Sequence, residues 1–307
     1  MDIFEEVMTN KLIKVIEPCG PPVAELLDQH LSMLRKAGLD VSYESLGLST
    51  LSRLEEAGVL ARSAQISDAL HSDEVGIILS ARGGYGASDL LGRIDWERLA
   101  GLERKCLVGF SDVTALQSAL FTILGWSSLH ASMPGSPLWQ NGATVTNLIT
   151  LLRAGRRDSW SGDIKLSPVA GSRPMTGPIE GQLFGGCLSV LSNLIGTRYL
   201  PQRFSRHILF FEDTGETAPR ILRDWRQWLD AGLLTGVRAV VFGQFTECFS
   251  DLAEARWLLA ELAERTPCPV FSSTDFGHIE NNAPLGIGAE ATIDENVLKW
   301  HFQTDTS

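Results

Sequence analysis

Apolar positions along the chain fall into short blocks that alternate between two periods. LIKVIEP is a compact run of strand length, and VAELLDQHLSMLRKAG after it repeats Leu26, Leu27, Leu31 and Leu34 at helical spacing until Gly38 stops it. LDVSYES reads as a second strand. EVGIILSA is a third, continuously apolar as a strand buried on both faces is. KCLVGF is a fourth; the helix after it sets Val113, Leu116, Leu120 and Ile123 on one face, and SSLHAS is a short fifth strand. Strand and helix in alternation predict a parallel α/β sheet with right-handed crossovers, a Rossmann-like N-terminal domain over residues 1–152.

The pattern fades over residues 153–175, RAGRRDSWSGDIKLSPVAGSRPM, where Ser, Gly, Arg and Pro dominate; this is the expected linker. Residues 176–307 then read as a mixed α+β C-terminal domain. GPIEGQLFGGCLSVLSNLIGT gives a short strand and helix, and HILFFEDTGE is a strand that ends in acids. PRILRDWRQWLDAGLL is a helix opened by Pro219, VRAVVFGQF a strand and DLAEARWLLAELAER a helix. AEATIDENVLKWHF predicts a closing hairpin turning at Asp294, Glu295 and Asn296.

In open parallel sheets, ligands bind beyond the carboxyl ends of the strands. Two loops fall there: ARGGYG after the third strand and GFSD after the fourth. Ser111 sits where an apolar strand turns into a helix. It reads either as an ordinary helix cap or as a nucleophile on a sharp turn, with the Asp112 amide placed to receive an oxyanion. Gly83 and Gly84 allow close approach of backbone to a ligand, for phosphate or as a second oxyanion donor. The loop after the first strand, EPCGPPV, lacks G-x-G-x-x-G, and no P-loop is present, so no nucleotide cofactor is expected.

A serine nucleophile needs a base and an orienting group. Of six histidines, His30 and His71 fall in helical surface patterns, His207 opens a strand and His301 lies in the closing hairpin. His130, at the end of a strand, and His278, in the polar loop GHIENNAPLGIG, are the candidates for the base. Glu212 or Asp213, at the end of ILFFED, could orient it.

Composition narrows the classes. The chain has 307 residues, 44% hydrophobic and 21% charged, as an ordinary globular protein does. Its net charge of −11 repels phosphate backbones, so no nucleic-acid partner is expected. No apolar run reaches bilayer length, and the acidic opening MDIFEEVMTNKLIKVI is unlike a secretory signal; a cytoplasmic protein with no membrane partner is the expectation. Five scattered cysteines, with no CxxC, suggest buried free thiols rather than disulfides or zinc.

Six segments together, VIEPCGPP, ARGGYGASDLL, LVGFSDVTALQSALF, EGQLFGGCLSVLSNLIGT, ILFFEDTGE and GHIENNAPLGIG, resemble in their order the LD-carboxypeptidases, serine peptidases related to the microcin C self-immunity peptidase. The resemblance covers nearly the whole chain. It implies Ser111 as nucleophile, His278 as general base, Glu212 as the group orienting the imidazole, and the amides of Gly84 and Asp112 as oxyanion hole. It implies a homodimer without metal or cofactor. It also implies a muropeptide substrate, from which a terminal D-alanine is cut at an L,D-amide bond during cell-wall recycling. Arg82, beside the glycines, is a candidate for binding the substrate's carboxylate, or a structural arginine paired with an acid.

Three departures stand out: Cys187 where the family has Asn, Ala131 and Ser132 after His130 where it has Gly and Pro, and Gly286 where it has Pro. The second bears on specificity. The alternative within the class is cleavage of a peptidyl-nucleotide amide, with Trp139 or Trp160 stacking on the base. The alternative outside it is a non-enzymatic ligand-binding protein on the same fold.

Overall fold

The computed structural model describes residues 12–139, 142–154 and 160–302. Strands β1 (Leu12–Ile16), β2 (Val41–Tyr43), β3 (Val75–Ser80), β4 (Cys106–Gly109) and β5 (Ser128–His130) form a parallel sheet. Helices α1 (Ala24–Lys36), α2 (Glu56–His71), α3 (Ala87–Leu90), α4 (Trp96–Leu99) and α5 (Thr114–Leu124) connect them, and α6 (Ala143–Ala154) follows. The helix α1 buries Leu27, Leu31 and Leu34, as its spacing predicts. It also buries His30, which is no surface residue: its ring stacks on Trp139 and its Nδ1 meets the Pro134 carbonyl.

The second sheet has eight strands, in the order β6-β14-β13-β8-β9-β10-β11-β7. Its parallel centre is β8 (Ile179–Cys187), β9 (His207–Thr214), β10 (Ala239–Thr246) and β11 (Val270–Gly277). The continuous apolar run of β9 places it between β8 and β10, with Phe210 and Phe211 fully buried. The connecting helices are α7 (Leu188–Ser192), α8 (Ala218–Asp230) and α9 (Leu252–Arg265). In α8 the stripe Ile221, Trp225 and Trp228 faces the sheet, where both indoles meet Phe211 edge-on. The closing hairpin is β13 (Glu290–Asp294) with β14 (Val297–His301), and its turn residue Glu295 takes a left-handed conformation, φ 52°.

Two features depart from the sequence reading. Within the expected linker, β6 (Ser161–Lys165) pairs with β14, and β7 (Ser167–Pro168) pairs with β11, so this stretch supplies both edges of the second sheet. Only Ile164 of β6 is buried, which explains why its sequence looks like a connection. In addition β12 (Leu285–Ile287), from the far end of the chain, pairs antiparallel with β5 and completes the first sheet. Gly286 lies there against Leu129; a Cβ on it would come within 3.0 Å of Trp300, Ala289 and Phe302. The two halves are thus joined by a strand as well as by chain connectivity, and β12 leads straight back from the loop that carries His278.

Candidate active site

Ser111 follows β4 across a single residue, Phe110, and begins a short 3-10 turn, 111–113, that leads into α5. Its φ is 62°, a left-handed conformation that costs a residue with a Cβ free energy and projects the hydroxyl off the end of the sheet. The cap position of this turn falls to Phe110, not to Ser111. Instead Ser111 Oγ lies 2.9 Å from His278 Nε2, and His278 Nδ1 lies 2.6 Å from Glu212 Oε2. A carboxylate can only accept, so Nδ1–H donates to Glu212 and Nε2 is left to accept the Ser111 proton. Three segments widely separated in sequence meet here: the turn after β4, the end of β9 and the loop after β11.

Of the two acids at the end of β9, Glu212 is the one that reaches the imidazole. Its side chain is fully buried. Asp213 turns to the other face and organises the start of α7, accepting from the Ser189 amide at 2.7 Å, the Ser189 hydroxyl at 3.2 Å and the Thr214 amide at 2.9 Å. Burial pulls the His278 pKa down, but the charge and hydrogen bond of Glu212, joined by the charges of Asp213 and Glu247, more than reverse this, and the imidazole titrates above its ordinary value.

His130 is the other candidate base, and it does not join this chain. It is buried, and neither ring nitrogen has a partner among the described residues. Phe110, Phe210 and Phe276 surround its ring. Burial, and then the neighbouring His278, push its pKa down to about 3, so it stays neutral. Phe110 lies between the two histidines, with ring centroids 5.6 Å from His130 and 4.9 Å from His278.

The glycine loop comes against the serine. A Cβ on Gly83 would sit 2.9 Å from Ser111 Cβ and 3.0 Å from Oγ. Gly84 adopts φ 118°, open essentially only to glycine. Two contacts that sequence alone did not reveal hold this loop. The Gly20 amide donates to the Gly83 carbonyl at 3.0 Å, so EPCGPPV braces the second loop rather than cradling phosphate. The Asp112 carboxylate, whose pKa burial raises, accepts from the Ala87 amide at 2.8 Å. Asp112 therefore ties the turn bearing Ser111 to α3, directly behind the glycines. Arg62, fully buried, adds donors to the carbonyls of Pro18, Gly86 and Arg53. The Arg82 guanidinium donates to the Pro21 carbonyl at 3.1 Å and pairs with no carboxylate among the described residues.

Two family models match the chain: the LD-carboxypeptidase N-terminal domain over residues 13–131 and the LD-carboxypeptidase C-terminal domain over residues 180–293. A carboxypeptidase-family protein of Streptomyces coelicolor is 32% identical over 93% of this chain and 92% of its own. The chain belongs to the LD-carboxypeptidase family. Membership makes it a serine-carboxypeptidase-type hydrolase. The murein tetrapeptide carboxypeptidase of Pseudomonas aeruginosa is 26% identical over 94% of each chain. The muramoyltetrapeptide carboxypeptidase of Oxalobacter formigenes superposes with a TM-score of 0.80 at 27% identity, over 95% of this chain and all of its own. The microcin C7 self-immunity protein in complex with aspartyl sulfamoyl adenosine shares the fold at 18% identity, with a TM-score of 0.79 over 96% of this chain and 97% of its own.

Other positions singled out by the sequence fall as follows. Trp139 and Trp160 are buried in the core, so neither is available to stack on a ligand base. Cys187 is buried; its thiol, pushed up by burial, lies 3.4 Å from Asp213 Oδ1. All five cysteines are free and buried. Among the described residues no helix is long and apolar enough to cross a membrane.

Proposed function

We propose that this chain is a serine LD-carboxypeptidase that removes the terminal D-residue of a murein tetrapeptide at an L,D-amide bond. The hydrogen-bonded run from Ser111 Oγ to His278 Nε2 and from His278 Nδ1 to Glu212 Oε2 carries the reading. A ligand-binding protein has no use for a hydroxyl held at φ 62° on an imidazole that is itself held by a buried carboxylate.

In this reading Ser111 Oγ attacks the carbonyl carbon as its proton passes to His278 Nε2. Glu212 fixes the tautomer and stabilises the imidazolium. The amides of Asp112 and Gly84 receive the oxyanion, each donor worth about 3 kcal/mol when aligned. The C–N bond breaks as His278 returns the proton to the leaving amine. Water, deprotonated by the same imidazole, then hydrolyses the acyl ester and restores Ser111. The reading extends to a homodimer acting in the cytoplasm on recycled cell-wall peptides.

Incubation with L-Ala-γ-D-Glu-meso-diaminopimelate-D-Ala tests it, with released D-alanine quantified for wild type and Ser111→Ala. Release by wild type alone supports the reading; equal release by the variant removes Ser111 from its role. A peptidyl-adenylate mimic run in parallel separates the muropeptide from the nucleotide-linked substrate.

A further inference from the structure

A cavity of about 820 Å³ opens beside the glycine loop, lined among others by Gly20, Arg53, Arg82, Gly83, Gly84 and Arg93. It adjoins the serine, because Gly83 lines it on one side and faces Ser111 Oγ on the other. Its charges can be paired off one by one. Arg53 is buried in an ion pair with Glu17. Arg93 holds Glu56, also on the lining, at 2.7 Å. Asp89 accepts from Arg62 at 3.4 Å and from the Tyr85 hydroxyl at 3.3 Å. Arg82 remains, with one N–H on the Pro21 carbonyl and no carboxylate partner among the described residues. Among the described residues the lining therefore presents one uncompensated positive charge, on a side chain built to grip a carboxylate with two parallel N–H groups.

We infer that this cavity is the leaving-residue subsite and that Arg82 pairs with the free α-carboxylate of the substrate's last residue. This rests on the peptidase reading above and deepens it. In a peptide that carboxylate follows the scissile nitrogen by two bonds, so it lies within roughly 4–5 Å of the carbonyl carbon under attack. A residue next to the oxyanion loop lies within that reach, and Arg82 directly precedes Gly83. The size of the cavity adds a second element. A space of 820 Å³ is in the range that encloses a whole drug-sized ligand, far more than the methyl group of alanine fills. The subsite accepts terminal D-residues larger than alanine.

The test uses the full chain and three peptides: the D-Ala tetrapeptide, its C-terminal amide, and the counterpart ending in D-leucine. KM and kcat are measured for wild type, Arg82→Ala and Arg82→Lys, and binding to Ser111→Ala is measured by calorimetry. Arg82→Ala is expected to raise KM for the free acid tenfold or more, with the smaller change in kcat, and to leave the amide's KM unmoved. Arg82→Lys restores part of the loss, since a point charge keeps the attraction without the fork. D-leucine release is expected within tenfold of D-alanine release in kcat/KM. An equal rise in KM for acid and amide would show a merely structural arginine and overturn the assignment, as would no rise at all. A loss above a hundredfold with D-leucine would overturn the size argument. Calorimetry separates the two levels of the account. Tighter binding of the acid than of the amide keeps the Arg82 assignment even where wild type cleaves neither peptide, a failure of the peptidase reading alone. Binding of neither peptide overturns both.

Discussion

Replacing Gly83 by alanine tests how closely the glycine loop is set against the nucleophile. The added Cβ would lie 2.9 Å from Ser111 Cβ, 3.0 Å from its Oγ and 3.4 Å from Met133 Cε. Ordinary contact starts near 3.4 Å, so the first distance is short by 0.5 Å. The Ser111 Cβ cannot rotate aside, because its position is set by the backbone at φ 62°. Nor can the loop retreat freely, since the Gly83 carbonyl is held by the Gly20 amide. Either the Ser111 turn or the loop must shift by about half an ångström, disturbing the 2.9 Å approach to His278 or the Gly84 amide. Misplacement by about 1 Å costs on the order of a hundredfold, so half of that predicts about a tenfold fall in kcat. Overpacking adds a stability loss of about 1–3 kcal/mol. Gly92, exposed and with nothing within 4 Å of its virtual Cβ, supplies the control. Tetrapeptide turnover and urea unfolding of both variants give the readouts. Wild-type kcat in Gly83→Ala, or an equal loss in Gly92→Ala, would refute the claim that this loop is fitted to Ser111.

Three further predictions concern charge. Because the His278 pKa is raised and its neutral form is the base, kcat/KM should fall as pH drops through a midpoint above 6.5; a midpoint below 6 contradicts the Glu212 pairing. Stability runs the other way. Protonated His278 beside Glu212 adds stability that is complete below about 6.5 and is lost as pH rises through the raised value. Glu212→Gln should leave the fold intact and lower kcat by roughly 10³–10⁴-fold, since the amide no longer fixes the tautomer or stabilises the imidazolium; a loss under tenfold would remove Glu212 from the site. His130, held neutral down to about pH 3, makes the folded state resist protonation that the unfolded chain accepts near 6.5. Its contribution is present above 6.5 and is lost as pH falls, by about 2 kcal/mol at pH 5. His130→Phe, in a pocket already lined by Phe110, Phe210 and Phe276, should therefore lose less stability than wild type between pH 7.5 and 5 in urea titrations; parallel losses would show that the site is not dry.

What was legible in the sequence follows from how each element buries its side chains. The continuous apolar runs of β3, β4 and β9 belong to strands covered on both faces, and the stripes of α1 and α8 face sheets. The helix α2 was harder to read, because its buried face carries Gly58, Arg62 and Ser63 beside Val59 and Ile66, which blurs the period. Edge strands β6 and β7 bury almost nothing and so resemble a linker. Ser111, Glu212 and His278 were recognisable as polar residues at the ends of apolar strands or in a polar loop, but their meeting is a tertiary event. So are the choice of His278 over His130 and of Glu212 over Asp213. The bracing by Gly20, Asp112 and Arg62 left no local signal at all, since each acts on backbone distant in sequence.

The most direct measurement of the central claim is D-alanine release from L-Ala-γ-D-Glu-meso-diaminopimelate-D-Ala by wild type beside Ser111→Ala. The account predicts steady release by the first and a loss of at least about 10³-fold in the second, with unchanged circular dichroism. Comparable turnover by the folded Ser111→Ala variant would contradict it, because the hydroxyl 2.9 Å from His278 would then not be the group that attacks.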